Sequence, residues 1–433
     1  MRFASTRNGA EQVSLSSALE RGLAPDGGLY MPTEWPLLKP TADPQDLPAL
    51  ALELLAPFAA GDALHEHLPA IVREAFNFPA PLTGLSPGKQ VGREATNVLE
   101  LFHGPTAAFK DFGARFLAAA LARLPGERPL QILVATSGDT GGAVAAAFHR
   151  RERVEVAVLF PQGLVSPTQE RQLTCWDDNV RSFAVRGRFD DCQRLVKQAF
   201  ADPELSARFR LSSANSINLG RLLPQMVYYW AASLSVQRQF GLPACFAIPS
   251  GNLGNATACV WARRLGAPIG TILLAHNANS TVPDYLREGV FKPRPSIATL
   301  SSAMDVGDPS NLERLSALYP DAANLGGALL AISIDDAATR ARIREDFVAH
   351  GRIWCPHSAV AAEGYARVRA SGAQGPAGVW SLVATAHPAK FREIIEPLIG
   401  ATVPMPATLA RLYERPVRCE QIDPTLQALK QAL

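Results

Sequence analysis

The chain has 433 residues, of which 47% are hydrophobic and 19% charged, and this length predicts two or three domains rather than one small core. The formal net charge of +2 gives no electrostatic reason to expect a nucleic acid or an anionic membrane, and no segment approaches the roughly 20 apolar residues that cross a bilayer. Six scattered cysteines without a Cys-x-x-Cys pair, and a start without a long apolar stretch, indicate a cytoplasmic protein with reduced thiols.

The first part of the chain combines residues that are typical of loops with two predicted helices, near 47–60 and 63–76. Pro79 and Pro81 then favour a boundary near residue 80. Beyond it, short β-rich runs alternate with helical ones, which is typical of parallel sheets covered on both faces. The predicted strands are 98–102, 131–135, 154–160, 244–248, 271–276 and 379–385, and the predicted helices are 112–124, 142–150, 190–201, 218–238 and 255–265.

These elements predict an α/β protein with several parts. The parts are an N-terminal region at 1–80, a core at 81–400 made of a smaller subdomain (about 130–205) and a larger one (81–129 with 206–400), and a C-terminal segment at 401–433. In parallel sheets ligands bind beyond the carboxyl ends of the strands. We therefore look for a site in the turns that follow the predicted strands.

Lys110 stands in the run His103-Gly104-Pro105-Thr106-Ala107-Ala108-Phe109-Lys110-Asp111-Phe112. Burial among phenylalanines would lower the pKa of its amine, and a neutral amine can form a Schiff base with a carbonyl cofactor. The alternative is an ordinary surface lysine at a helix start, where the carboxylate of Asp111 suits the helix dipole.

Two glycine-rich turns each follow an apolar strand and precede an alanine-rich helix: Ser137-Gly138-Asp139-Thr140-Gly141 and Ser250-Gly251-Asn252-Leu253-Gly254-Asn255. Such turns present backbone N–H groups to an anion, and glycine lets a phosphate approach without a Cβ in the way. The alternative is a tight strand-to-helix connection without a ligand. One activated lysine and two anion sites favour an aldehyde cofactor that carries a phosphate, which is pyridoxal-phosphate chemistry.

Three further groups of residues are candidates with open alternatives. Asn215, Ser216, Asn218 and Arg221 come together where a helix starts, so they could bind a second phosphate or simply cap the helix. Asp139 could contact the cofactor or be a helix N-cap. Thr385 could contact a pyridine nitrogen, although threonine is common in strands.

His65-Glu66-His67 is the one run that suggests a metal. Neighbours at this spacing on one short helix point to different faces, and no third ligand is apparent. We expect a solvated helix and no metal site.

Five segments resemble the threonine synthase family, in that family's order: the run around Lys110 and the segments 136–141, 213–218, 249–254 and 385–391. Ser5-Thr6-Arg7 and 24–30 are similar to its N-terminal region. The resemblance implies a tryptophan-synthase-β-like enzyme of fold type II, with two α/β subdomains and an N-terminal region. The implied reaction converts O-phospho-L-homoserine and water to L-threonine and phosphate, by γ-elimination and β-addition of water.

The resemblance also implies roles for individual residues. Lys110 is the catalytic residue that attaches pyridoxal 5′-phosphate, and the other implied cofactor-binding residues are Asp139, Gly251, Asn252, Leu253, Gly254, Asn255 and Thr385. The implied substrate-binding residues are Ser137, Gly138, Thr140, Asn215, Ser216, Asn218 and Arg221. Aspartate at 139 is typical of this family, whereas many fold-related enzymes carry asparagine there. The segment 301–307 also resembles the family, without an assigned role.

Two other functions stay open at this point. A related phospho-lyase would stop at phosphate release and give a 2-oxo acid, and a non-catalytic protein would only bind pyridoxal phosphate. In each case we expect a small-molecule ligand and no nucleic acid, membrane or obligate protein partner.

Overall fold

The computed structural model describes residues 1–86, 95–126, 128–372 and 378–433. The strands in these ranges are β1 (Phe3–Ser5), β2 (Tyr30–Pro32), β3 (Leu82–Gly84), β4 (Thr96–Glu100), β5 (Leu130–Ala135), β6 (Val154–Pro161), β7 (Val180–Val185), β8 (Arg210–Ser213), β9 (Ala244–Pro249), β10 (Ile269–His276), β11 (Leu330–Ser333), β12 (Val379–Ala384) and β13 (Glu420–Ile422).

The α-helices are α1 (Leu15–Arg21), α2 (Leu47–Ala59), α3 (Leu68–Ala75), α4 (Lys110–Leu121), α5 (Asp139–Phe148), α6 (Pro167–Thr174), α7 (Phe189–Ala201), α8 (Pro203–Arg208), α9 (Leu219–Leu222), α10 (Gln225–Phe240), α11 (Gly254–Arg264), α12 (Thr281–Glu288), α13 (Leu312–Leu318), α14 (Ala322–Ala328), α15 (Asp336–His350), α16 (Pro356–Ala370), α17 (Arg392–Ile399), α18 (Ala407–Tyr413) and α19 (Leu426–Ala432). Short 3₁₀ helices lie at Ser302–Met304 and Pro388–Phe391.

The larger sheet has six strands in the order β11-β10-β9-β12-β4-β3. Neighbouring strands in this sheet run parallel, except for β3 and β4, which pair antiparallel at its edge. Every residue of β9 and of β12 is buried. This explains why both strands are apolar without alternation, apart from Ser381 in β12: each lies in the middle of a sheet that is covered on both faces.

The smaller sheet has five parallel strands in the order β13-β7-β6-β5-β8. Successive side chains of β5 point to opposite faces. Ile132 and Val134 join the main hydrophobic core, whereas Leu133 and Ala135 join a second core that includes residues of α7 and α19. The smaller sheet is therefore also buried on both sides, as the sequence predicts for a parallel sheet.

The smaller sheet extends beyond the predicted limits of about 130–205. It takes β8 from 210–213 and β13 from 420–422, so part of the segment 401–433 is an edge strand of this sheet. The N-terminal region contributes the separate antiparallel pair β1 and β2. Its helix α1 contacts α4, which begins with Lys110.

One predicted helix is wrong in its continuity. The stretch predicted as one helix over 218–238 consists of α9 and α10, which are separated at Leu223 and Pro224. Proline has no N–H to donate and its ring disfavours a continuing helix, so Pro224 starts a new one. The residues His65 to His67 lie in turns just before α3 rather than in a helix.

Two features are absent from the described residues: a membrane-spanning helix and a cluster of metal-binding side chains. No helix among them is long and apolar enough to cross a membrane. No group of three or more His, Cys, Asp or Glu side chains in these ranges is arranged to hold a metal ion.

Candidate active site

A cavity of about 890 Å³ opens where β5, β9 and β12 end. It is lined by residues of both sheets and by Arg7 and Arg21 of the N-terminal region. The position agrees with the rule for open parallel sheets, in which ligands bind beyond the carboxyl ends of strands. Of the residues predicted for the site, the cavity is lined by Lys110, Ser137, Asp139, Thr140, Asn215, Ser216, Arg221, Gly251, Asn252, Leu253, Gly254, Asn255 and Thr385.

Lys110 is the first residue of α4, and the loop before it is tightly fixed. Asp111 is buried and accepts hydrogen bonds from the N–H (2.9 Å) and the hydroxyl (2.6 Å) of Thr106. Ala107 has a positive φ of 53°, a conformation that is costly outside glycine and is held only by surrounding structure. The Phe109 N–H donates to the carbonyl of Thr385 (2.8 Å), which joins the lysine loop to the end of β12.

The environment of the Lys110 amine favours its neutral form. Burial lowers its pKa to about 8, and Arg221 and Lys390 act in the same direction, against the opposing charge of Asp139. Lys110 is therefore not the exposed lysine of the alternative interpretation, because it lines the cavity and is only partly accessible. An amine with a lowered pKa is suited to attack a carbonyl carbon.

Asp139 is the first residue of α5 and is not its N-cap, because Gly138 occupies that position. Its Oδ1 accepts from Gln169 Nε2 (3.0 Å) and lies 2.7 Å from Lys390 Nζ. Burial opposes ionisation, but the charges of Lys390 and Lys110 outweigh it, so the pKa of Asp139 lies well below its ordinary range. Asp139 is a buried carboxylate at the cavity wall, held by a buried ammonium group.

The glycine turn 250–254, which follows β9, packs closely against neighbouring segments. Leu253, the N-cap of α11, has a positive φ of 61°. A Cβ on Gly251 would lie 2.7 Å from Met304 Cα. The close packing of the segment 301–307 therefore requires a glycine at this position, in addition to any requirement of a bound ligand. A Cβ on Gly254 would lie 3.2 Å from Ser216 Cβ, a tighter approach than usual.

The side chain of Asn252 binds within the protein rather than projecting toward a ligand. Its Nδ2 donates to Ser216 Oγ (2.6 Å), and its Oδ1 accepts from the N–H of Ser310 (2.6 Å). Any ligand contact of Asn252 would therefore be made through its backbone.

Asn255 presents a free amide donor to the same end of the cavity. Its Oδ1 lies 2.6 Å from the Tyr228 hydroxyl and 2.9 Å from the Tyr229 hydroxyl. Burial raises the pKa of both phenols well above the ordinary value, so they stay neutral. With Oδ1 facing the two hydroxyls, the buried Nδ2 has no partner among the described residues. A buried N–H₂ without an acceptor, at the start of a helix, fits an anionic ligand group such as a phosphate.

Arg221 brings a buried cation to the cavity. Its Nη1 donates to the carbonyl of Ala214, and its buried Nε has no partner among the residues that the structure describes. Burial lowers its pKa to about 10, which leaves it charged at neutral pH. Asn215 and Ser216 line the same part of the cavity.

Two residues predicted to bind substrate do not reach the cavity. Asn218 is fully buried: its Oδ1 accepts from the Gly220 N–H (2.9 Å), and its Nδ2 donates to the carbonyls of Leu19 (2.8 Å) and Ser213 (2.9 Å). It caps α9 and ties it to α1, as in the alternative interpretation. Gly138, with a φ of 134°, donates its N–H to Thr136 Oγ1 (3.0 Å), so that group is not free for a substrate carboxylate.

Thr385 follows β12 directly and is buried at the cavity wall. Its N–H donates to Ser358 Oγ (3.1 Å) and its carbonyl accepts from Phe109. The backbone is thus held on both sides, which fixes the position of the hydroxyl.

The structure adds residues that sequence reasoning did not assign. Lys390 is fully buried and also donates to the Thr106 carbonyl (3.0 Å). Lys390 lies within the motif at 385–391, so the sequence contains a signal that this residue belongs to the site. Its partner Asp139 is 251 positions away in sequence, so the pair itself is not recognisable from a local pattern. The tyrosine pair 228–229 and His357 had no comparable motif around them.

Comparisons with known proteins agree with this geometry. Residues 75–385 match the family described as pyridoxal-phosphate dependent enzyme, residues 2–76 match the threonine synthase N terminus, and residues 358–433 match the C-terminal part of threonine synthase. The threonine synthase of Haemophilus influenzae is 39% identical over 419 residues, which cover 95% of each chain. The chain belongs to the threonine synthase family.

Solved structures support the same assignment to the threonine synthase family. The crystal structure of threonine synthase from Escherichia coli is 37% identical, with a TM-score of 0.87, and the match covers 100% of this chain and 99% of that one. A pyridoxal-phosphate-bound threonine synthase from Brucella melitensis is 33% identical, with a TM-score of 0.88 and coverage of 100% and 98%. The fold is therefore the fold-type-II, tryptophan-synthase-β-like α/β fold that the sequence implies, and the cofactor is pyridoxal phosphate.

Proposed function

We propose that this chain is a threonine synthase, which converts O-phospho-L-homoserine and water to L-threonine and phosphate. The observation that carries the proposal is one cavity that combines a lysine of lowered pKa, Lys110, with two groups of anion-binding donors. One group is the turn 251–255 with the free amide of Asn255, and the other is the buried guanidinium of Arg221. A cofactor phosphate and a substrate phosphate require two such groups.

The residues at the cavity fit the cofactor. Lys110 would hold it covalently, the turn 251–255 and Asn255 Nδ2 would bind its phosphate, and Thr385 would contact its ring. When bound, pyridoxal phosphate supplies an electron sink for carbanions formed next to it. Gln169 and Lys390 both contact Oδ1 of Asp139, and neither contacts Oδ2. The Asp139 carboxylate would thus place a negative charge beside Lys110.

The chain's own groups then bind the substrate and move protons. The guanidinium of Arg221, with Asn215 and Ser216, would bind the substrate phosphate, and the N-terminal turn of α5, with Ser137 and Thr140, would bind its carboxylate. Lys110 Nζ would take the proton from substrate Cα and serve again as acid and base at Cβ. Loss of a Cβ proton lets phosphate leave from Cγ, a proton delivered to Cγ completes the methyl group, and water then adds at Cβ while a proton returns to Cα. Holding the phosphate with a buried cation favours its departure, because its negative charge grows as the bond breaks.

The reaction is tested by product analysis after incubation of the cofactor-loaded protein with phosphohomoserine. Threonine and phosphate in equal amounts are the expected products. Formation of 2-oxobutyrate would instead identify a phospho-lyase, and the absence of turnover with bound cofactor would identify a carrier. Either result would overturn the proposal.

The attachment site is tested by borohydride reduction of the loaded protein, followed by peptide mapping. The reduced label should be found on the peptide that contains Lys110. Lys390 is the informative competitor, because its amine is buried beside the same carboxylate. Recovery of the label on Lys390 would show that the two lysine roles are exchanged.

A cytoplasmic location belongs to the same proposal. All six cysteines are unpaired, and five of them are buried. Unpaired buried thiols are typical of a reducing compartment. Fractionation of the source cells, with activity followed in each fraction, would test this location.

A further inference from the structure

His357 is a buried residue at the cavity to which no role has been assigned. It is the second residue of α16, only 3% of its surface is exposed, and its ring packs against Phe391 with the ring centres 5.0 Å apart. It lines the same cavity as Lys110 and Asp139. Its imidazole is therefore held in one place, next to the reacting groups.

One backbone contact determines which ring nitrogen carries the proton. The N–H of Ala303 donates to His357 Nε2 (3.1 Å), so Nε2 must offer a lone pair. A proton on Nε2 would remove this acceptor, both in the other neutral tautomer and in the doubly protonated ring. Burial also lowers the pKa of His357 to about 4, so the ring is neutral at physiological pH. A neutral ring that accepts at Nε2 carries its hydrogen at Nδ1.

The Nδ1–H is the unexplained part of the arrangement. Nδ1 is buried and has no hydrogen-bond partner among the described residues. A buried donor without an acceptor is rare in folded proteins and requires a partner such as an ordered water or a ligand. The charges that act on the ring are those of Asp139, Lys110 and Lys390, which surround the lysine end of the cavity. A ligand atom at this end of the cavity would supply the missing acceptor.

We infer that His357 Nδ1 donates a hydrogen bond to the ring oxygen of pyridoxal phosphate that neighbours the carbon attached to Lys110. This inference rests on the proposed cofactor site. Of the cofactor's oxygens, this one lies next to the point of attachment, whereas the phosphate oxygens belong to the turn 251–255. The segment 301–307 thereby gains a function: its Ala303 N–H fixes the ring tautomer that makes His357 a donor.

Two substitutions separate the two ring nitrogens. In His357→Gln the side-chain oxygen can take the place of Nε2 and still accept from Ala303, but the Nδ1 donor is lost. In His357→Asn the amide nitrogen can take the place of Nδ1, whereas the acceptor for Ala303 is lost. Apoprotein of each variant and of the wild type is titrated with pyridoxal phosphate, and the visible absorption band of the bound cofactor is recorded without substrate.

The Gln variant should bind the cofactor roughly 10- to 100-fold more weakly than the wild type and show a shifted absorption band, because a donor to a charged oxygen is gone. The Asn variant should stay closer to the wild type in both measurements. Thermal unfolding of the three apoproteins serves as the control for folding.

Three results would overturn the inference. Wild-type affinity and absorption in the Gln variant would show that Nδ1 contacts no cofactor atom. An unchanged resting spectrum with a raised KM for phosphohomoserine would place the substrate at Nδ1. Equal losses in both variants, together with equally lowered apoprotein unfolding temperatures, would show a packing role only. If the wild type itself failed to take up pyridoxal phosphate, the proposed function would fail instead.

Discussion

Lys390 Nζ lies 2.7 Å from Asp139 Oδ1, and both side chains are buried. The same ammonium group donates to the carbonyl of Thr106, in the loop that precedes Lys110. Lys390 thus joins the start of α5 to the lysine loop across the cavity wall. Removing one partner of such a pair is costly because the other charge stays buried without compensation.

The first prediction concerns this pair. Lys390→Met should lower the free energy of unfolding of the apoprotein by about 3–5 kcal/mol at pH 7, as for other broken buried pairs. The loss should become smaller as the pH falls, because the unpaired carboxyl of Asp139 then takes up a proton. Urea unfolding at several pH values measures both effects. Lys292→Met, at an exposed lysine paired with Glu288, is the control and should change stability little. Equal effects of the two substitutions would contradict the prediction.

The second prediction concerns the pH dependence of cofactor capture. Attack on the cofactor requires the neutral amine of Lys110, whose pKa is lowered by burial to about 8. The rate of covalent capture by apoprotein should therefore rise with pH below about 8 and level off above it. Asp139→Asn should move the midpoint to lower pH, because the Asp139 charge raises the pKa of Lys110. Stopped-flow absorption at a series of pH values gives the midpoints; a wild-type midpoint near the ordinary lysine value would refute the assignment.

The third prediction concerns a packing role of Gly251 in addition to the approach of a phosphate. Because a Cβ on Gly251 would meet the Met304 backbone, Gly251→Ala should lower the stability of the apoprotein by about 1–3 kcal/mol and also weaken cofactor binding. Gly327→Ala is a matched control: no atom lies within 4 Å of its added Cβ in α14, and it should stabilise by about 0.5–1 kcal/mol. Unchanged apoprotein stability in Gly251→Ala would show that Met304 can move away.

The fourth prediction separates the two anion sites. Arg221→Ala should lower kcat/KM for phosphohomoserine roughly 10- to 150-fold, the effect of losing a charge-assisted hydrogen bond of about 1.5–3 kcal/mol. Cofactor affinity should remain near that of the wild type, and Arg221→Lys should recover part of the activity. Steady-state kinetics and cofactor titration measure the two effects. Loss of the cofactor with normal kinetics on resupply would mean that the two phosphate sites are interchanged.

Local patterns in the sequence were sufficient for the elements that carry the chemistry. The buried parallel strands β5, β9 and β12 are apolar except for Gln131 and Ser381. The glycine turns that follow β5 and β9 start α5 and α11 within a few residues of the predicted positions. Lys110 stands out because a charged residue in an apolar run requires an explanation. In each case the information is local, and local information is what periodicity and motif reasoning use.

The remaining features depend on contacts between residues far apart in sequence. Nothing near Asn218 distinguishes a ligand-binding amide from one that caps α9 and binds Leu19, almost 200 residues earlier. The pairing of Lys390 with Asp139 and the Ala303 contact of His357 are likewise set by the packing of distant segments. Pro224 is different, because a helix break at a proline is local information that the sequence itself contains.

The edge position of β13 has a consequence for synthesis of the chain. This strand covers β7 through the pairs Phe183 with Glu420 and Val185 with Ile422. Until residues 420–422 have left the ribosome, β7 presents an open row of backbone donors and acceptors, which is a template for pairing with another chain. Chains that lack β13 should therefore be the form most prone to self-association, whereas a chain that contains β13 covers β7 itself.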